Sequence, residues 1–319
     1  MKNGETNTAN RIIRSLNGIV DYTMLVMLFV VALVALYALW DAHQVYAAAD
    51  ITRYITYKPT EESELSFDEL REMNSDVIGW LSVYDTRIDY PVLNSKVSND
   101  EYISRNPFGE IEASGSLFID HNNSKAFTDF NTIIFGHHMA QGAMFGDIDL
   151  FLNEEFFDTH AYGNLFFNGK NHGIQFFSIS EIDSHSRELY RVPATTEEEK
   201  QCYLDYIDEH TKYRRDVEVT INDQIILLST CSEDITNGRL VLAGKLLNRT
   251  VRDPFEKKTE ISDRRIDVFD WFNRFLNLPI WEWIIIQIVL IMLVYLLWRM
   301  EHKRYKRTRE KRRRKSDGE

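Results

Sequence analysis

Two uninterrupted apolar runs lie near the ends of the chain, and between them hydrophobic positions come in short bursts. Tyr22 to Trp40 is 19 residues without a charge, close to the roughly 20 that a helix needs to cross a bilayer. Ile280 to Trp298 carries only Glu282 near its start and Gln287 inside, with tryptophans at both ends where interfacial aromatics belong. The pattern predicts two transmembrane helices, at 22–40 and 280–298.

Residues 41–65 are polar and without apolar periodicity, which predicts a stalk between membrane and domain. Ser66 with Glu69 has capping-box spacing ahead of Phe67, Leu70 and Met73, predicting a short helix. Runs rich in β-branched and aromatic residues follow. They predict strands at Val77 to Tyr84, Ile88 to Leu93, Ser116 to Asp120, Thr132 to His137, Leu165 to Asn168, Ile174 to Ser180, Val217 to Ile221, Gln224 to Thr230 and Arg239 to Leu246. So many short strands point to a mainly β domain at 66–247, a barrel or a sandwich. One helix interrupts them, Thr196 to Tyr213, with a capping box at Thr196 and Glu199 and a face of Tyr203, Tyr206, Ile207 and His210. Cys202 lies beside that face, where a buried, inert thiol is expected. Residues 248–279 form a juxtamembrane linker. Within it, the apolar residues between Arg264 and Leu278 fit either an amphipathic helix on the membrane surface or a helix packed on the domain.

Charge orients this arrangement. Lys2, Arg11 and Arg14 precede the first apolar run and eleven Lys and Arg lie between Arg299 and Lys315 after the second, so the 1–21 and 299–319 segments should both be cytoplasmic and the domain outside. A polybasic run directly after a span reads as a stop-transfer signal touching anionic membrane lipid. The whole chain has net charge −12, but Asp41 to Ile280 holds 23 Lys and Arg against 42 Asp and Glu, which argues against nucleic acid as a partner. Ala47-Ala48-Ala49 lies well beyond the first apolar run, and that run exceeds a signal-peptide core, favouring an uncleaved anchor. Two cysteines, Cys202 and Cys231, then face an exterior that permits disulfides.

Three residues at strand ends carry candidate chemistry. Gln224 to Thr230 runs as a buried strand into Cys231, so the thiol sits where a side chain is held rigidly and still reached, as a nucleophile requires. The competing reading is a structural cysteine bonded to Cys202. Arg239 opens the next strand, eight positions on; a fixed cation there would lower a thiol pKa and hold a developing oxyanion. His137 ends another apolar strand and could act as general acid and base. His138 would point to the opposite face, so only one of the pair should be catalytic. His121, His137, His138, His160 and His172 show no recognised zinc spacing, and neither metal nor cofactor is expected.

Ser229-Thr230-Cys231 with Arg239 eight residues on resembles the Thr-Leu-x-Thr-Cys…Arg signature of the sortases. Phe135-Gly136-His137-His138-Met139 continuing through Gly142, Met144, Phe145 and Gly146 resembles the histidine motif of class B sortases. Val77-Ile78-Gly79-Trp80-Leu81, Tyr90-Pro91-Val92 and Gly115-Ser116-Leu117-Phe118-Ile119-Asp120 resemble class B sequence in the same order. The resemblance covers Phe67 to Leu247 and implies a closed β-barrel with peripheral helices. It implies Cys231 as nucleophile, His137 as general acid and base, and Arg239 as substrate and oxyanion clamp, with Ser229 and Thr230 as expected substrate contacts. The implied reaction is transpeptidation: cleavage of a C-terminal sorting motif in a secreted protein through a thioacyl enzyme, then transfer to an amine of a peptidoglycan precursor or a pilin. The second span with its basic tail is more typical of class C, pilin-polymerising sortases. Asp253-Pro254-Phe255 resembles the class C lid tripeptide but follows the arginine, and its proline reads as a linker breaker. Two other readings remain: a hydrolytic cysteine protease, and an anchored β-barrel adhesin or scaffold with a Cys202–Cys231 disulfide.

Overall fold

The structure, a computed structural model, describes residues 2–60, 65–139, 142–183, 186–230, 238–255 and 299. Helix α1 (Lys2–Ala48) contains one stretch long and apolar enough to cross a membrane, Ser15–Asp41, in which no residue is fully buried. The second expected span, the amphipathic segment at 264–278 and all of the basic tail but Arg299 lie outside the described residues.

Nine strands follow: β1 (Val77–Val83), β2 (Asp89–Leu93), β3 (Leu117–Ile119), β4 (Asn131–Gly136), β5 (Tyr162–Phe167), β6 (Lys170–Asp183), β7 (Thr211–Arg214), β8 (Ile225–Thr230) and β9 (Gly238–Leu246). Their order is β5-β1-β2-β3-β4-β8-β9-β6-β7, and a further β5–β6 pairing closes eight of them into a barrel with β7 hung on its outside. Closure depends on the 14 residues of β6. Its first part pairs with β5 and the part from Ile174 onward pairs with β9, with a register shift between Phe176 and Ser178 that redirects the strand.

At the middle of the sheet β4 and β8 run parallel, from Asn131 against Ile225 to Gly136 against Thr230, and every residue of both is buried. This explains why both read as continuous apolar runs: parallel strands covered on both faces need no polar alternation. The outer cover includes α3 (Glu197–Glu209), whose Tyr203, Leu204 and Ile207 are buried, with Tyr203 edge-on to Phe130 at 6.0 Å. The capping box at Thr196 and Glu199 forms as the spacing predicts.

Several expectations are corrected. The helix ends at Glu209, so Thr211 and Tyr213 enter β7. Val217 to Ile221 forms no strand: Val217, Val219 and Ile221 are half-buried against the core, yet the segment joins no ladder. Its apolar side chains report burial against the core without pairing. The first short helix, α2 (Leu65–Met73), already includes Ser66; Phe67 and Leu70 are buried but Met73 is exposed. Cys202 is exposed and free, not buried, because Tyr203 and Leu204 take the inward positions beside it. Where a polar stalk is expected, α1 continues to Ala48, and Ala49 and Tyr54 are buried in the main core around two 3-10 turns, Ile51–Arg53 and Ile55–Tyr57. Past β9, the chain lies along the β5–β6 hairpin through Leu247 N–H to Gly173 O and Gly173 N–H to Arg249 O, each 2.8 Å. It then stacks Phe255 on His160 at 4.4 Å, with Phe156 on the other ring face at 3.6 Å.

Candidate active site

The ends of β4 and β8, with the start of β9, bring His137, Ser229, Thr230 and Arg239 onto one edge of the barrel. Gly136 is registered against Thr230. The residues that follow them in the chain are His137 and Cys231. Cys231 itself lies outside the described residues, as do 232–237. From the neighbouring strand, Arg239 donates from Nη1 to Thr230 O at 3.2 Å, and the Leu240 N–H reaches Thr230 Oγ1 at 3.2 Å. The residue preceding the cysteine is therefore held at both its carbonyl and its hydroxyl.

His137 is half-buried, and its Nε2 meets Ile103 O at 2.7 Å. A carbonyl only accepts, so Nε2 carries the proton and Nδ1 is left as the basic atom of the ring. The residue before Ile103 is anchored twice. Tyr102 is tied through its hydroxyl to Asp76 at 2.9 Å, and its carbonyl accepts Ser116 N–H at 3.0 Å. His138 turns away, bonding Asp149 Oδ2 at 2.8 Å from Nε2. β4 ends at Gly136, one residue short of the expected strand, so both histidines lie past it and their rings part through different partners.

Ser229 and Thr230 are buried, and the Ser229 hydroxyl lies 3.1 Å from Tyr190 OH. Tyr190, in the turn between β6 and α3, is a residue that sequence reasoning missed. Its ring stacks on Phe135 at 6.1 Å and lies under the Arg239 guanidinium at 5.8 Å, so one side chain touches all three site-bearing strands. Its only sequence signal is an aromatic in a polar connection. The Ile103 backbone was equally invisible, because a carbonyl carries no residue signature. Among the described residues, no group of three or more His, Cys, Asp or Glu is arranged to hold a metal ion.

No family model matches the chain. Sortase B of Listeria monocytogenes is 34% identical over 215 residues, covering 66% of this chain and 83% of that protein. Sortase B from the type II pilus of Streptococcus pneumoniae is 39% identical with TM-score 0.50, over 57% of this chain and 99% of that one. The Staphylococcus aureus sortase B–substrate complex is 26% identical with TM-score 0.54, over 66% and 94%. By these likenesses the chain belongs to the sortase B family of cysteine transpeptidases.

Proposed function

We propose that Cys231 is the nucleophile of this transpeptidase, His137 its general acid and base, and Arg239 its oxyanion and substrate clamp. The observation that carries the reading is the parallel register of Gly136 against Thr230, with Arg239 bonded to the Thr230 carbonyl. Cys231 passes its thiol proton to His137 Nδ1, its Sγ adds to a backbone carbonyl of the sorting motif, and the C–N bond breaks. The leaving amine takes a proton from His137. An incoming amine then attacks the thioester and gives its proton to the histidine, and the thiolate leaves. Ser229 and Thr230 shape the floor beneath the acyl group, since their hydroxyls are engaged within the fold. The substrate is a secreted protein with a C-terminal sorting signal; the amine belongs to a peptidoglycan precursor or a pilin subunit. The Streptococcus pneumoniae relative, from a pilus, supports keeping the pilin as acceptor. A structural Cys202–Cys231 disulfide is disfavoured by the exposed, free Cys202.

The test is intact-mass detection of the thioacyl enzyme with a sorting peptide, followed by product analysis with and without an added amine. Cys231→Ala and His137→Ala should abolish turnover with thermal stability nearly unchanged, while His138→Asn keeps much of it. Turnover that survives His137→Ala and is lost with His138→Asn would overturn the assignment. Hydrolysis unaffected by added amine would make the enzyme a protease.

A further inference from the structure

One buried hydroxyl joins the foot of the N-terminal helix to the loop that follows the site histidine. Tyr90 lies on β2 and is 3% exposed. Its hydroxyl donates to Ala49 O at 2.9 Å, where α1 has just ended, and accepts the Met144 N–H at 3.3 Å. The next residue, Phe145, sends its N–H to His137 O at 2.9 Å. Ala49, Tyr90, Met144 and Phe145 are all buried, so water has little access to these bonds. Burial also pushes the Tyr90 phenol up to about 12, and the hydroxyl keeps the proton it donates.

Met144 gives this link a purpose beyond filling space. Its φ is +53°, a left-handed backbone that a residue with a long side chain adopts only when its surroundings impose it. Its N–H is held by Tyr90, and it forms an isolated antiparallel bridge with His138. The strained turn is therefore pinned from one side by the histidine segment and from the other by the end of the helix that contains the candidate span.

We propose that Tyr90 is a positioning residue that couples the ordered foot of α1 to the His137 loop, so that the site is fully set only when Ala49 is seated. This rests on His137 being the general acid and base. Losing the hydroxyl leaves two buried backbone groups without that partner while the ring still fills its place, so folding survives and the loop loosens.

The experiment uses the full chain in detergent micelles, with Tyr90→Phe, Asp50→Ala and the double variant. Asp50 is exposed, and its side chain accepts the Thr52 N–H at 2.8 Å, fixing the turn directly after Ala49 without touching the site. Tyr90→Phe should lower kcat on a sorting peptide about tenfold with KM little changed, in keeping with a small misplacement of a reacting group. Hydrogen exchange at the Met144 and Phe145 amides should quicken about tenfold while β8 and β9 amides do not change. Asp50→Ala should act in the same direction more weakly, and the double variant should match Tyr90→Phe alone, the non-additivity of a shared path. Fully multiplicative effects on kcat, or unchanged exchange at Met144 and Phe145, would overturn the coupling. The exchange arm does not depend on catalysis. If His137→Ala remained active, the reading of the site would fail while exchange still judged the link between foot and loop.

Discussion

Gly109 and Gly115 both hold a left-handed backbone, with φ of +85° and +60°, yet their surroundings differ. A Cβ at Gly109 would meet nothing within 4 Å, whereas one at Gly115 would stand 2.4 Å from Ile103 O and 2.7 Å from Tyr102 O. Ile103 O is the acceptor of the His137 ring. Alanine at either position should cost on the order of 1–3 kcal/mol from backbone strain. Only Gly115→Ala should also displace the carbonyl that sets the imidazole, lowering kcat by tenfold or more. Denaturant melts paired with steady-state kinetics on both variants separate the two effects; equal turnover would show that Ile103 does not orient the base. Arg239 makes a second residue-scale case. Its guanidinium spans the Thr230 carbonyl and the Tyr190 ring, a placement suited to a flat fork of donors and poorly met by a single ammonium. Arg239→Lys should therefore lower turnover by on the order of 100-fold to 1,000-fold, as removal of one oxyanion donor does, with a smaller rise in KM. Near wild-type kcat for the lysine variant, measured on one sorting peptide, would remove the clamp role.

At the scale of elements, what could be read in the sequence and what could not divide along a physical line. β1, β2, β3, β4, β8 and β9 were legible because they are bounded by Gly, Asn, Asp or Pro and buried densely enough to show as apolar bursts. β7 was not, because its Thr211 and Tyr213 continue the spacing of the helix before it, and only pairing with Ser178 to Ser180 of β6 makes it a strand. The full length of β6 was equally hidden: Lys170, Asn171 and His172 look like turn residues, and the β5 partner recruits them. Val217 to Ile221 failed in the opposite sense, with good local propensity and no ladder to join. The candidate site follows the same rule. His137 and Arg239 announce themselves as polar residues beside the ends of apolar strands, whereas Tyr190, Tyr90 and the Ile103 carbonyl are brought to it only by contacts between distant segments. The stalk was misread for a related reason. Ala49 and Tyr54 are single buried positions in a polar stretch, too few to form a period, but enough to seat the chain on the core.

For the molecule as a whole, this seating changes how the domain meets the membrane. From Asp41, the end of the candidate span, α1 continues to Ala48, a rise of about 10 Å at 1.5 Å per residue. Ala49 then enters the core directly, so if Ser15–Asp41 crosses a bilayer the barrel stands close to it on a helical post. If the apolar run from Ile280 to Trp298 also spans, the domain is held at two points and both basic flanks stay in the cytoplasm, as the distribution of Lys and Arg requires. The intervening segment, with 23 Lys and Arg against 42 Asp and Glu, carries no comparable basic cluster to retain it inside. Protease added to intact cells should then digest the barrel while an epitope tag placed after Glu319 stays intact until the membrane is permeabilised. A tag digested without permeabilisation would mean that the second apolar run does not cross. The chain would then hang from α1 alone, and the arrangement shared with pilin-polymerising sortases would have to be given up.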